Sequence, residues 1–136
     1  MSISKQYAGT FSRDTLRVEA LLRSFLDFAN NDEIQRDLFS KETGAGRFEA
    51  LHDLHDLAAE ADYLIHLIEY AEELEYQEDL ERWTERAAQF WAGPVFEMLC
   101  DLAPPGYRFG TLPGDGAHFG FWEREDIERS VKNEKN

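Results

Sequence analysis

The chain has a single cysteine, Cys100, among its 136 residues, which excludes an intrachain disulfide and gives no sign of an oxidising compartment. No stretch approaches the roughly 18 uninterrupted apolar residues of a membrane span. Met1 to Phe11 carries one lysine and no apolar run of signal-peptide length, so the sequence predicts a cytoplasmic protein that is neither exported by that route nor membrane-spanning. Basic residues are also scarce. Fourteen Lys and Arg face 28 Asp and Glu, a formal charge of −14. Such a charge repels phosphate backbones and anionic lipids and argues against direct binding of nucleic acid or membrane. A basic partner is expected instead. What is abundant is apolar: 43% hydrophobic and 13% aromatic residues, with ten Phe and three Trp, enough for one real core and too much for a disordered chain. The length fits one domain, residues 1–136.

Hydrophobic spacing organises the chain into three main helical regions. Val18, Leu21, Leu22, Phe25 and Phe28 recur at helical spacing and predict a first helix over about 12–30, with Ser12, Asp14 and Thr15 as candidate caps and Asn30 and Asn31 at its end. Residues 32–47 hold a short, weakly amphipathic piece (Ile34, Leu38, Phe39) and then a flexible loop, Thr43-Gly44-Ala45-Gly46. A second helix is expected over about 48–76. Its first half sets Leu51, Leu54, Ala58 and Ala61 against Glu49, Asp53, Asp56 and Glu60. After Ala61 the apolar centre rotates by about a third of a turn, so that Leu64, Leu67, Ala71 and Leu74 line another face. Either the helix kinks near Tyr63 to His66, or different neighbours cover its two halves. A third region over about 78–102 carries Leu80, Trp83, Ala87, Phe90 and Trp91, then Val95, Met98, Leu99 and Leu102, and Gly93-Pro94 predicts a kink or fresh start between them.

Tyr107 to Leu112 and Ala117 to Trp122 are aromatic-rich runs around Pro113-Gly114-Asp115-Gly116 and read as a β-hairpin over about 107–122, turning at Gly114, Asp115 and Gly116, with Tyr107, Phe109, Phe119 and Phe121 facing the core. Residues 123–136 are charged and are expected to end as a short helix and a frayed tail. The fold class expected is therefore α+β, mainly α: a bundle of three main helices with a C-terminal hairpin packed on it. The run Phe109-Gly110-Thr111-Leu112-Pro113-Gly114-Asp115-Gly116-Ala117-His118-Phe119-Gly120-Phe121-Trp122 resembles a group of small bacterial proteins found on plasmids and phages, as do Thr15-Leu16-Arg17, Phe25-Leu26 and Leu102-Ala103-Pro104. The resemblance brings no activity and no catalytic or binding residue; it implies a mobile-element gene as the source.

Charge is the sharpest feature. From Phe48 to Glu81 there are twelve acids (Glu49, Asp53, Asp56, Glu60, Asp62, Glu69, Glu72, Glu73, Glu75, Glu78, Asp79 and Glu81) and no Lys or Arg. Like charges at i,i+4 cost a helix about 0.2–0.5 kcal/mol per pair, and Glu49/Asp53, Asp56/Glu60 and Glu69/Glu73 are such pairs. A solvated helix usually mixes signs. Either this is a plain solvated face, or Glu49, Asp53, Asp56, Glu60, Glu69, Glu72 and Glu73 form a surface for a basic partner. On the same helix His55, Asp62, His66, Glu69 and Glu73 fall within about a sixth of a turn, weak candidates for a transition metal. The di-iron pattern needs Glu-x-x-His on two helices, whereas here His66-x-x-Glu69 occurs once and reversed, so a polar face is the preferred reading and no cofactor is expected. Asp115 and His118 could pair as acid and base, but no nucleophile stands beside them in sequence; a structural role in the turn is preferred and no catalytic residue is assigned. Cys100 reads as a buried small hydrophobe and Trp83, Phe90 and Trp91 as core.

The function expected is a non-enzymatic acidic interaction protein that occupies a basic, nucleic-acid-binding surface of another protein, such as a mobile-element inhibitor of a host defence protein. A metal-binding protein or metal-dependent enzyme using the His/Asp/Glu face is the rival from another class, and a structural or assembly subunit is the third.

Overall fold

A computed structural model of the chain describes residues 2–13, 15–41, 45–112 and 114–124, the side chains of 41 and 45–50 excepted. Its order is a 3-10 turn Lys5–Tyr7, β1 Gly9–Ser12, α1 Val18–Ala29, α2 Asp32–Lys41, α3 Ala45–Glu73, α4 Gln77–Phe90, a π-helical turn Trp91–Val95, α5 Phe96–Leu102, β2 Tyr107–Leu112 and β3 Asp115–Glu123. The class is α+β and mainly α. Of the expected tail over 123–136, Glu123 belongs to β3 and residues 125–136 lie outside the described residues.

The first helix starts later than its spacing suggests, because Gly9–Ser12 is taken by a strand. Ser12 is buried in that strand rather than capping a helix. Asp14 lies outside the described residues, and the Thr15 hydroxyl accepts the Arg17 N–H one residue before α1 (3.1 Å). Asn31 ends one helix and begins another: its side-chain oxygen accepts the N–H groups of Glu33 (2.9 Å) and Ile34 (3.2 Å), capping a regular helix α2 where only a weak piece was expected. Ile34 and Leu38 of α2 are buried. Ala45 and Gly46, expected in a loop, belong to α3; Thr43 and Gly44 lie outside the described residues.

Helix α3 is unbroken through Tyr63 to His66, and it packs against α1, α2 and α4. The rotation of its apolar pattern thus reflects several neighbours rather than an interruption. Leu54, Ala58, Ala61, Leu64, Ile65, Ile68 and Ala71 are buried, while Leu74 is exposed. The helix ends in a Schellman turn: the Tyr76 N–H reaches the Ala71 carbonyl (2.9 Å) and the Glu75 N–H that of Glu72 (3.2 Å). Glu75 therefore sits in the left-handed region, φ 59°, where glycine is normally preferred.

At Gly93-Pro94 the helix neither stops nor restarts. Proline has no N–H for the carbonyl four residues back and its ring crowds that carbonyl. The chain widens to a π turn instead, in which the Phe96 N–H reaches the Trp91 carbonyl. Trp91 and Val95 from this turn are buried.

The hairpin forms as expected, with Phe109 opposite Phe121 and Gly110 opposite Gly120, but its turn is shorter. Leu112 pairs with Asp115, so Asp115 and Gly116 belong to β3, and Gly114 carries the positive φ, 87°. The unexpected β1 pairs antiparallel with β3, giving sheet order β1-β3-β2. The backbones come close there: a Cβ on Gly120 would lie 2.4 Å from the Gly9 carbonyl oxygen and 2.6 Å from the Trp122 ring.

Phe109, Phe119 and Phe121 are buried, whereas Tyr107 is only half-buried. The inner face of the sheet meets the helices through rings. Phe109 contacts Phe11 (5.3 Å), Phe96 (5.3 Å), Phe121 (5.1 Å) and Trp91 (6.3 Å) between centroids, and Phe28 of α1 meets Phe121 at 5.9 Å. Trp83 and Phe90 are partly buried against the core. The N-terminal segment closes the far side. Ile3 is fully buried and its N–H bonds to the Leu102 carbonyl (2.9 Å), while Ser4 donates its N–H and hydroxyl to the Asp37 carboxylate (2.7 and 2.6 Å).

Candidate interaction surface

Because α3 buries Leu54, Ala58 and Ala61, the intervening turns direct Asp53 and Asp56 to solvent, and both are exposed. The acids of α3 do not act as one row, however. Arg23 of α1 pairs with Glu69, Arg17 approaches Glu72 (3.8 Å), and Arg86 of α4 approaches Glu60 (4.0 Å). The bases missing from α3 itself come from the helices packed beside it. Glu73 is exposed, and the side chain of Glu49 lies outside the described residues.

Tertiary packing adds acids that the sequence reading did not include. Glu97 and Asp101, an i,i+4 pair on α5, line with Asp53 and Asp56 an open cleft of about 400 Å³ whose apolar part is Leu57, Pro94 and Met98. All four acids are exposed. Their outward placement follows from Leu99 and Leu102 turning inward; that pattern was readable, but the approach of α5 to the first half of α3 was not. An apolar floor rimmed by carboxylates suits the aliphatic stem and charged head of Lys or Arg.

Cys100 belongs to the same helix and is exposed, not buried. The core side of α5 is already filled by Leu99, Leu102 and the preceding Val95. Its thiol is nonetheless raised above the ordinary thiol value, by partial burial first and then by the Asp101 charge, with Arg108 opposing and Glu97 adding.

The His and acid residues on the other flank of α3 are engaged separately. His66 Nδ1 lies 2.8 Å from the Asp62 carbonyl oxygen and 3.5 Å from its carboxylate, and Glu69 is paired with Arg23. His55 shares with Asp62 an open cleft against Leu26 and Asn30. Among the described residues no three His, Cys, Asp or Glu side chains gather as a metal site.

At the sheet, Asp115 accepts the Ala117 N–H (3.2 Å), an Asx-type contact that shapes the start of β3. Its other oxygen lies 3.9 Å from His118 Nδ1. His118 Nε2 is 2.8 Å from the Thr10 hydroxyl of β1, and the imidazole stands edge-on to Trp122 at 5.2 Å. These contacts tie β3 to β1 across the outer face of the sheet.

No family model, curated protein or solved structure matches the chain. Among the described residues no helix is long and apolar enough to cross a membrane.

Proposed function

We propose that the protein is a non-enzymatic interaction protein whose acidic helical surface occupies a basic, nucleic-acid-binding surface of another protein. The observation that supports this reading most is the cleft in which Asp53 and Asp56 of α3 meet Glu97 and Asp101 of α5 around Leu57, Pro94 and Met98. Four exposed carboxylates around one open cleft present negative charge at separations set, within each helix, by turns of about 5.4 Å, and side chains that otherwise grip a phosphate backbone can meet them. Glu60, Glu69 and Glu72, which face bases of their own chain, border this surface rather than lead it. In this reading the protein acts in the cytoplasm, and a role as inhibitor of a host defence or nucleic-acid enzyme fits both the charge and the mobile-element resemblance.

Interfacial charge pairing mainly speeds association and is screened by salt, with a Debye length of about 10 Å at 0.1 M. The test is capture of the partner from host lysate at low ionic strength, followed by association kinetics with Asp53, Asp56 and Glu97 reversed to Lys. The association rate is expected to fall at least tenfold, and nucleic acid is expected to compete with the parent protein. A triple variant that associates as fast as the parent, at fixed salt, overturns the reading.

A further inference from the structure

Helix α3 and Leu74 in the turn that ends it carry a second apolar stripe that no other element covers among the described residues. At about 100° per residue, Tyr63, Leu67, Tyr70 and Leu74 fall within an arc of about 60°, centred about 140° from the buried face. Tyr63 is 58% exposed, Tyr70 60% and Leu74 41%; Leu67 is half-buried between them. Together with the several neighbours that cover its core side, this stripe contributes to the rotation of the apolar pattern after Ala61, since the second half of α3 is apolar on its solvent side as well. The spacing of four, three and four residues is that of a helix seam, about 16 Å long at 1.5 Å per residue. Tyrosine offers a large contact area with two side-chain torsions to fix and a hydroxyl that stays wet, which is why it is enriched at protein interfaces.

The surrounding charge decides what fits. Asp56 continues the line toward the N-terminus and Asp62 and Glu73 border it, while Glu69 on the same flank is paired with Arg23; the whole stretch from Phe48 to Glu81 has no Lys or Arg of its own. A second copy of this chain would set acid against acid. We infer that the Tyr63–Leu67–Tyr70–Leu74 stripe docks an amphipathic helix of a basic protein, with apolar anchors at i, i+3 or i+4 and i+7 meeting the tyrosines and Lys or Arg flanks meeting Asp56, Asp62 and Glu73. This rests on the acidic-surface reading and adds its apolar half: carboxylates speed the encounter, and the tyrosines hold the complex.

Two synthetic helical peptides of identical Lys/Leu composition separate the two halves, one patterned with leucines at heptad a and d positions and the other scrambled so that no apolar face exists. The patterned peptide is expected to bind at least tenfold more tightly, and Tyr63→Ala with Tyr70→Ala is expected to remove that advantage while leaving binding of the scrambled peptide unchanged. Both tyrosines being exposed, the double variant keeps its helix content, which circular dichroism checks; Tyr70→Ser alone gives the same direction. Equal binding of the two peptides, unaffected by the tyrosine variants, overturns the stripe and leaves the acidic reading standing. Failure of both peptides to bind even at low salt overturns both readings. Self-association of the protein, measured by sedimentation and lost in the tyrosine variant, overturns the assignment to a basic partner.

Discussion

The sheet end of the molecule and its long helix solve opposite problems. At the sheet end Phe109, Phe119 and Phe121 are turned inward and buried, and the backbones close so tightly that no side chain fits at Gly120. Along α3 the core side is equally complete, yet tyrosines and carboxylates remain on the other side. Their treatment of the left-handed backbone differs too. The hairpin uses Gly114 (φ 87°), whereas α3 ends through Glu75 (φ 59°), keeping an acid where conformational energy favours glycine. One region is arranged for stability, the other at some cost to it.

The strongest way to break this contrast is to empty the sheet end. Phe109→Ala removes the ring that Phe11, Trp91, Phe96, Phe119 and Phe121 share. A loss of about 4 kcal/mol is expected in urea unfolding, whereas Tyr70→Ala, the same kind of truncation on α3, is expected to stay within about 0.5 kcal/mol of the parent. Similar losses at the two sites would mean that the helix surface is part of the core.

A smaller effect of opposite sign is expected where the helix keeps its acid. Glu75→Gly relieves the left-handed strain and is expected to stabilise by about 1 kcal/mol, seen as a melting temperature higher by a few degrees. A lower melting temperature would show that Glu75 makes a compensating contact, and the contrast between the two turns would disappear.

The mildest probe reads the charge of α5 next to the cleft without unfolding anything. Since burial, Asp101 and Glu97 raise the Cys100 thiol, thiolate is scarcer at a given pH than in a free thiol, and alkylation by iodoacetamide should be slow at neutral pH with its rate midpoint above the ordinary thiol value. Asp101→Asn should move that midpoint down and quicken alkylation severalfold near pH 8. An unchanged profile would mean that the carboxylates of α5 do not act on the surface around them.

The sequence by itself determined what depends on neighbours a few residues apart. The 3.6-residue spacing of Val18 to Phe28 located α1, the aromatic alternation around Gly114 located the hairpin, and the absence of bases between Phe48 and Glu81 located the acidic helix. Helix α2 was half legible: Ile34 and Leu38 were visible, but the cap by Asn31 was read as the end of the preceding helix. Tertiary structure alone decided whatever joins distant segments. Gly9–Ser12 is too short to show a period of its own and becomes a strand because β3, more than a hundred residues later, offers its edge. The bases that meet Glu60, Glu69 and Glu72 come from α4, from α1 and from Arg17 just before α1, and Glu97 and Asp101 of α5 line the acidic cleft together with Asp53 and Asp56 of α3. Cys100 sits among apolar neighbours in sequence and is exposed because Leu99 and Leu102 fill the core side of α5. Local periodicity records which face of an element is apolar; only the packing of other elements decides whether that face is covered, and by which charges it is bordered.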